Sequence, residues 1–321
     1  MAEVLLQAES VSRRYQVGRR RFLHAVREVS ITVEAGETVG LVGESGCGKS
    51  SLGRVLLGLD PADSGTVTFA GEKLDAHMPT ERRRELQVVF QDPYSALNPR
   101  KTIGSAIGEV LRVHGVCARN EVRDQMLETL DRVGLRRDLA ERKPYELSGG
   151  ERQRAVIARA LAAGPRLIVA DEAVSALDVS IQAQILNLFT RLQDELGLAY
   201  LFISHDLSVV RHASNRVFVM YLGRIVESAK TETLFARPRH PYTRGLLDAM
   251  PQLERRDAGS LTELSGDLPD PMQLPTGCSF HPRCPLATDI CRQQQPVLSP
   301  DADGSLVACH HADQVAAESV S

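Results

Sequence analysis

A glycine-rich octapeptide offers the clearest chemistry in this sequence. Residues 43–50 read GESGCGKS and lie between the apolar run ETVGLV and a helical pattern. Glycines let successive N–H groups point at one anion, and the following helix adds the positive end of its dipole. Lys49 supplies a point charge to β- and γ-phosphates, and the Ser50 hydroxyl suits a Mg²⁺ ligand position. The pattern predicts a phosphate-binding loop rather than a plain strand-to-helix turn, with these contributors: Gly43, Glu44, Ser45, Gly46, Cys47, Gly48, Lys49, Ser50 and Ser51.

A second feature is a pair of carboxylates at the end of an apolar run. The run LIVA at 167–170 reads as a buried parallel strand, and Asp171 and Glu172 follow it. Ligands bind at the carboxyl ends of strands in doubly wound sheets. We expect Asp171 to lie beside Mg²⁺, directly or through water, and Glu172 to polarise the attacking water as general base. Taken alone, two acids at a strand end could equally be solvated.

A third feature is a second glycine-rich helix start. Residues 147–154 read LSGGERQR, in which Ser148 and Glu151 form an S-x-x-E capping box, a purely structural alternative. A glycine-rich helix N-terminus with a free serine hydroxyl is also an anion site, which one chain cannot bring onto its own Lys49 site. The octapeptide is similar to the signature of ABC ATPases. That resemblance implies that two cassettes meet head to tail and that Ser148, Gly149 and Gly150 bind the γ-phosphate held by the opposite subunit. It also places Gln153 among the nucleotide-binding residues.

The same resemblance implies roles for four further residues. In SALD at 175–178, Asp178 matches the loop that communicates between the two sites. His205, in a stretch reading SHD, would sense the γ-phosphate, although an isolated histidine there is more often a core residue. Gln91 in VVFQDP would reach the metal and water, and Tyr15 would stack on adenine, where packing is the alternative. Ala173 departs from the proline usual in the family, for which we expect a small local change only.

The distribution of periodic segments predicts the fold class. Strand-type runs fill residues 3–42, helical patterns dominate 102–135 and the region after 148, and short apolar runs occur at 166–170 and 198–204. This order predicts a doubly wound α/β core with a helical insertion. The resemblance makes it a P-loop NTPase ABC cassette: a RecA-like parallel-sheet core with an N-terminal antiparallel β subdomain and a helical subdomain. We expect the cassette at 1–237, with its helical subdomain at about 92–160, and a small irregular extension at 238–321.

Four of the six cysteines lie in that extension. Five, six and seventeen residues separate them in turn, which is looser than the spacing of common zinc knuckles. Four thiolates in a segment with little apolar core favour a [4Fe-4S] cluster. Unligated thiols and zinc are the alternatives. The expected ligands are Cys278, Cys284, Cys291 and Cys309.

Bulk properties narrow the range of partners. The chain has 321 residues, 43% of them hydrophobic, with 38 basic against 41 acidic residues and a net charge of -3. Such a balance gives no broad electrostatic reason to bind nucleic acid or anionic lipid. The sequence lacks an apolar run long enough to span a membrane and has no signal-peptide pattern at its start, so we expect it in the cytosol.

Several longer stretches indicate a particular transporter family. QDPYSALNPRKTIG, MYLGRIVES, HPYTRGLLDAMP and GCSFHPRCP resemble ATPase subunits of bacterial oligopeptide and dipeptide importers, with ALNPRK typical of the F-type subunit. The resemblance implies a D-type ATPase partner, two membrane permeases that dock on residues 91–115, an extracytoplasmic solute-binding protein and a place on the inner face of the membrane. Related nickel or glutathione importers share these motifs. A soluble ABC protein of DNA repair or translation and a non-hydrolysing regulatory cassette are further alternatives.

Overall fold

The computed structural model describes residues 3–19, 21–75, 78–92, 96–175, 177–250, 266–301 and 303–318. Ala176 of the SALD stretch and residues 93–95 of the predicted helical subdomain lie outside this range, as does Pro251 of the importer-like stretch HPYTRGLLDAMP. By contact density the chain forms two units. The first comprises residues 1–6, 33–38 and 68–202, and the second comprises 7–32, 39–67 and 203–321.

The first unit contains short parallel strands and the longest helices of the described residues. β6 (Leu86–Val89) pairs in parallel with β7 (Leu167–Asp171), and the strand order within this unit is β8-β7-β6, where β8 is Ala199–Ser204. Residues 167–170 and the whole of β8 are buried, which explains why both strands are continuous apolar runs rather than alternating ones. The end of β4 (Ser64–Phe69) pairs with β5 (Glu72–Lys73), and α2 is Thr80–Glu85.

Side-chain caps mark the start of three helices of this unit. The Thr102 side chain accepts from the Ser105 N–H and starts α3 (Ile103–Val113), which contacts α4 (Val122–Arg132). Two 3₁₀ turns, Arg137–Glu141 and Pro144–Glu146, lead into α5 (Gly149–Leu161). The last helix, α6 (Val179–Leu196), ends at Gly197 in the left-handed region, which glycine adopts without strain.

The second unit combines two sets of strands. Most of β1 (Val4–Gly18), β2 (Arg21–Glu34) and β4 lie in one sheet in the order β2-β1-β4. The other set has the order β11-β12-β10-β9-β3, where β11 is Ser299–Pro300 and β12 is Leu306–Val307. In it, β3 (Thr38–Val42) runs parallel to β9 (Arg216–Tyr221), which pairs antiparallel with β10 (Arg224–Lys230). The helices of this unit that precede the C-terminal segment are α1 (Lys49–Leu56), α7 (Leu207–Ala213) and α8 (Thr231–Ala236).

The C-terminal segment, residues 238–321, is less irregular than predicted. It contains α9 (Pro241–Asp248), α10 (Asp289–Gln293), α11 (Ala312–Glu318) and two short strands, β11 (Ser299–Pro300) and β12 (Leu306–Val307). β12 pairs antiparallel with β10, so the backbone groups of this edge find partners in the segment itself. Tyr242 and Phe280 are also part of the hydrophobic core that contains β9. The Pro, Gly and Cys content of the segment led to the prediction of an irregular extension and gave no sign of this packing.

Candidate nucleotide-binding site

The predicted phosphate loop has the geometry its glycines suggest. β3 is fully buried and leads into residues 43–48, and α1 begins at Lys49 without a side-chain cap. Gly48 has φ +110°, and a Cβ there would lie 2.0 Å from the carbonyl oxygen of Ala25. A Cβ on Gly43 would lie 2.2 Å from the Met220 oxygen. The loop is therefore packed against other backbone at both glycines, and only a residue without a side chain fits.

Lys49 lies at the centre of this loop. Its side chain is 4% exposed, and Nζ donates to the carbonyl oxygens of Gly43 at 2.8 Å and Glu44 at 3.0 Å. Cys47, which follows Gly46, is also buried, and burial raises the pKa of its thiol. Ser45, Gly46 and Ser50 are exposed, while Ser51 is half-buried. The ammonium thus stabilises the loop from inside while the outer face of the loop stays open to solvent.

Tyr15 is held on both its ring and its hydroxyl. The hydroxyl donates to Asp60 Oδ2 at 2.7 Å, and the Arg13 guanidinium lies 4.8 Å from the ring centroid. Arg54 donates to the same carboxylate at 2.9 Å, and its hydrogen bonds with that of Tyr15 lower the pKa of Asp60 to about 2. Tyr15 is half-buried. With one face covered by Arg13, a base could stack only on the other face.

His205 lies in the second unit, between β8 and α7. It is exposed, unlike a core histidine. The neighbouring Asp206 caps α7 by accepting from the Ser208 N–H at 2.8 Å, and its own N–H donates to Ser204 Oγ at 2.9 Å. These bonds fix the turn on which the imidazole is carried.

The acidic pair lies at the carboxyl end of β7, as predicted. Asp171 and Glu172 are both half-buried. Glu172 has φ +50°, a left-handed conformation that is uncommon outside glycine, asparagine and aspartate. Its carbonyl oxygen accepts from the Ser175 N–H at 3.1 Å and from Ser175 Oγ at 2.9 Å. Such a backbone persists only where the surroundings hold it, and it is concentrated at functional sites.

The signature segment forms the capping box in full. Ser148 Oγ accepts from the Glu151 N–H at 3.3 Å, and the Glu151 carboxylate accepts from both the N–H and the hydroxyl of Ser148. These bonds lower the pKa of Glu151. The expectation of a free serine hydroxyl is therefore wrong for this structure, because the hydroxyl proton is donated to Glu151 at 2.7 Å. Ser148 and Gly149 are nevertheless exposed at the helix tip.

The remaining residues of the first unit differ in exposure. Gly150 lies close to α6, where a Cβ would be 3.0 Å from Ile181. Gln153 is 1% exposed, and its Nε2 is one of the buried atoms without a hydrogen-bond partner in the described part of the chain. Gln91 is exposed just after β6. Asp178 is exposed and caps α6, accepting from the Ile181 N–H at 3.0 Å, a structural role that the sequence reading did not assign.

The four cysteines of the C-terminal segment are free thiols. Burial, with a smaller effect of the neighbouring thiols, raises the pKa of Cys278, raises that of Cys284 to about 11 and raises that of Cys309 to about 12. The Cys278 N–H donates to the Cys291 oxygen at 2.8 Å. Across the described residues, however, no three His, Cys, Asp or Glu side chains are arranged to hold a metal ion. The thiols are neighbours, but their arrangement does not fit a metal site.

A groove runs along the start of the helical region of the first unit. It has a volume of about 410 Å³ and combines apolar with charged side chains. Val113, at the end of α3, is 69% exposed at its rim. The remaining lining residues are Ala96, Leu97, Asn98, Lys101, Ala106, Glu109, Val110, His114 and Arg159.

No helix in the described part of the chain is both long and apolar enough to span a membrane.

Two family models match this chain. One, described as ABC transporter, covers residues 26–175, and the other, described as oligopeptide/dipeptide transporter, C-terminal region, covers residues 226–291. With relatives 45% to 49% identical over nearly its whole length, the chain belongs to the ATP-binding proteins of ABC transporters. It is an ATP hydrolase of the ABC class with the fold that its motifs predict. The resemblance to ABC transporter ATP-binding proteins seen in the sequence is confirmed.

Three of the similar proteins are named as ATP-binding proteins of dipeptide or di/tripeptide transport. The dipeptide transport ATP-binding protein DppF of Haemophilus influenzae is 46% identical, with 96% of this chain and 97% of that protein aligned. DppF of Escherichia coli is 45% identical over 98% of this chain and 96% of its own length. The di/tripeptide transport ATP-binding protein of Pseudomonas aeruginosa is also 45% identical, covering 97% and 99%.

Solved structures match the cassette. CbiO1 of Clostridium perfringens, part of the CbiONQ transporter, superposes with a TM-score of 0.65 at 26% identity, covering 73% of this chain and 91% of its own. A dimeric post-hydrolysis cassette bound to ADP and phosphate superposes with a TM-score of 0.62 at 30% identity, covering 71% and 99%. The match leaves over a quarter of this chain uncovered.

Proposed function

We propose that this chain is the F-type ATPase subunit that energises import of dipeptides or oligopeptides. The observation that carries the proposal is the near full-length similarity to dipeptide transport ATP-binding proteins, which extends through the C-terminal segment. We propose the same domain division as the sequence suggested, a cassette at 1–237 with a helical subdomain at about 92–160 and an extension at 238–321. Nickel and glutathione importers remain the competing substrate classes.

The roles of the site residues follow from their chemistry. Lys49 exchanges its loop carbonyl acceptors for phosphate oxygens, since an ammonium has three protons to donate. Ser50, Gln91 and Asp171 are the oxygen donors that would hold Mg²⁺, which when bound offsets charge on the phosphates. Glu172 accepts a proton from the attacking water as general base, and His205 donates to the γ-phosphate. Tyr15 stacks on adenine with its uncovered face.

The Ser148 helix tip of a second chain completes the ATP site in this proposal. Its hydroxyl turns its proton from Glu151 to a γ-phosphate oxygen, while the exposed Gly149 lets the backbone approach. Asp178 links the two sites through the start of α6. The second chain is a D-type ATPase, so the proposed assembly is a heterodimer with two permeases and a solute-binding protein on the inner face of the membrane. The groove beside α3 supports permease docking, because its mixed lining suits a short helix of another protein.

The function is tested by assembling the chain with its permeases. We expect a dipeptide-loaded binding protein to stimulate ATP hydrolysis in proteoliposomes, and Val113→Asp to reduce co-purified permease about tenfold by placing a charge in an apolar contact. Val297→Asp is the matched control, since Val297 is 80% exposed and lies outside the groove. Stimulation by nickel or glutathione instead of dipeptide would assign the chain to those importers. Equal loss in both variants would remove the groove from the interface.

The [4Fe-4S] cluster is a separate proposal. Four free thiols in one segment support it, whereas their arrangement in the structure does not fit a metal site. If it forms, anaerobically purified protein contains iron and acid-labile sulfide in equal amounts and absorbs in the thiolate-to-iron charge-transfer region. Cys309→Ser then loses most of the iron, while Cys117→Ser, outside the segment, keeps it. Protein without iron after anaerobic purification would leave the four cysteines unligated.

A further inference from the structure

The C-terminal segment holds Glu44 of the phosphate loop in two ways. Arg283 makes a two-pronged ion pair, donating from Nη1 to Glu44 Oε2 at 2.7 Å and from Nη2 to Oε1 at 2.9 Å. Tyr242 accepts the Glu44 backbone N–H on its hydroxyl oxygen at 2.8 Å. All three residues lie in the second unit. Both the side chain and the backbone of one loop residue are therefore held by the C-terminal segment.

These contacts are buried enough to matter. The Arg283 side chain is 5% exposed and that of Glu44 is 27% exposed, so water screens the pair far less than a surface ion pair. The guanidinium lies 5.9 Å from the ring centroid of Tyr221. The ring of Tyr221 in turn packs on Tyr242 at 4.7 Å and on Phe280 at 5.2 Å between centroids. Aromatic packing therefore holds the Arg283 side chain in one position.

Tyr242 is fixed from its other side by a buried carboxylate. Glu227 on β10 accepts the N–H groups of Arg239 at 2.7 Å and His240 at 2.9 Å. His240 then caps α9, its Nδ1 accepting the Tyr242 N–H at 3.1 Å. Because the start of α9 is tied to β10, the hydroxyl of Tyr242 has one position from which to meet the loop.

Glu44 also touches the residue that binds phosphate. Its carbonyl oxygen accepts from Lys49 Nζ at 3.0 Å, while its N–H donates to Tyr242. The peptide groups on both sides of Glu44 are therefore oriented, and Lys49 Nζ donates to the carbonyl oxygen of each, Gly43 at 2.8 Å and Glu44 at 3.0 Å. The carboxylate of Glu44 would repel a triphosphate, and the guanidinium of Arg283 neutralises it.

We propose that Arg283 and Tyr242 are positioning residues for the phosphate loop, through which the C-terminal segment sets the affinity of the cassette for ATP. Arg283 acts by neutralising Glu44, and Tyr242 acts by fixing the orientation of its peptide. Neither contact involves substrate. The segment assigned to peptide transporters thereby becomes part of the nucleotide site.

The test is a double-mutant cycle on the full chain, with Kd measured for a fluorescent N-methylanthraniloyl derivative of ATP in Mg²⁺ buffer. We expect Arg283→Ala to raise Kd about tenfold, because it leaves the Glu44 carboxylate unpaired beside an anionic ligand. Glu44→Gln in the same chain should restore Kd to within about threefold of the parent, because the repelling charge is gone. In the assembled transporter, Arg283→Ala should raise KM for ATP while kcat stays within about twofold.

Controls separate positioning from general loss of structure. Arg292→Ala removes an arginine of the same segment that pairs with Asp289 on the surface, and it should leave Kd unchanged. Tyr242→Phe removes only the acceptor oxygen and should raise Kd several-fold, because the Glu44 N–H loses its partner. If Arg283→Ala does not fold, as judged by its melting temperature, Arg283→Lys takes its place and is compared with and without Glu44→Gln. The proposal is overturned if Glu44→Gln fails to rescue a folded arginine variant, or if kcat falls while KM does not change.

Discussion

Glu172→Gln should lower ATP hydrolysis by about a thousandfold, the loss expected when a general base can no longer accept a proton. The amide has the same shape as the carboxylate, and the left-handed backbone at φ +50° is as strained for glutamine as for glutamate. ATP binding should therefore persist. The expected result is a stable ATP-bound dimer, which size-exclusion chromatography with ATP and Mg²⁺ can detect.

The matched control is Glu195→Gln, which makes the same chemical change in the first unit on an exposed side chain of α6 paired with Arg191. It should hydrolyse ATP at the parental rate and should not shift to the dimer. If Glu172→Gln also retained the parental rate, another group would have to be the base. If it lost nucleotide binding instead, the residue would act in holding the loop rather than in proton transfer.

Gly48→Ala should reduce ATP affinity by at least about a hundredfold. The left-handed backbone alone costs about 1–2 kcal/mol for a residue with a Cβ. In addition, that Cβ would lie 2.0 Å from the Ala25 oxygen, so the loop or β2 must move. Because Lys49 is the next residue, the movement displaces the ammonium and the first N–H groups of α1. Isothermal titration with ATP and Mg²⁺ measures the change, and the melting temperature should fall as well.

Two glycines of the same chain separate strain from displacement. Gly46 also has a positive φ, +81°, but a Cβ there meets nothing closer than Leu268 at 3.8 Å. Gly36 has φ +70° with open space around it, outside the loop. Gly46→Ala should weaken binding moderately, and Gly36→Ala should lower stability without affecting affinity. Equal loss of affinity in Gly46→Ala and Gly48→Ala would show that contact with Ala25 is irrelevant.

Local patterns predicted the strands and helices that carry several of the candidate site residues. The G-x-x-x-x-G-K-S spacing placed Lys49 between a buried strand and a helix, and the apolar run before Asp171 predicted a buried strand. Both signals are local because each is a strand, a turn and a helix in sequence. The S-x-x-E pattern likewise predicted the capping box that the structure contains. What it could not show was that the Ser148 hydroxyl itself donates to the Glu151 carboxylate.

Local sequence patterns could not predict the long-range contacts. Arg283 and Glu44 are 239 positions apart, and nothing in GCSFHPRCP indicates that its arginine faces the phosphate loop. The cysteines of the same segment pose the same difficulty. Cysteine count and spacing predicted a metal site, yet the positions of the thiols depend on how residues 266–309 fold, which spacing does not determine. The importer-like motifs identified the family more reliably than any single predicted ligand set.

The pairing of β12 with β10 has a practical consequence for shortened forms of this protein. Residues 226–228 of β10 bond to the strand at 306–308, which lies close to the end of the chain. A fragment ending near residue 237 would leave that edge without its partner strand. It would also uncover apolar side chains such as Val226 and Tyr221, the second of which packs on Phe280 in the full chain. We expect such fragments to associate with one another through the exposed edge of β10. The minimal cassette seen in smaller relatives is therefore a poor guide to where this chain can be cut.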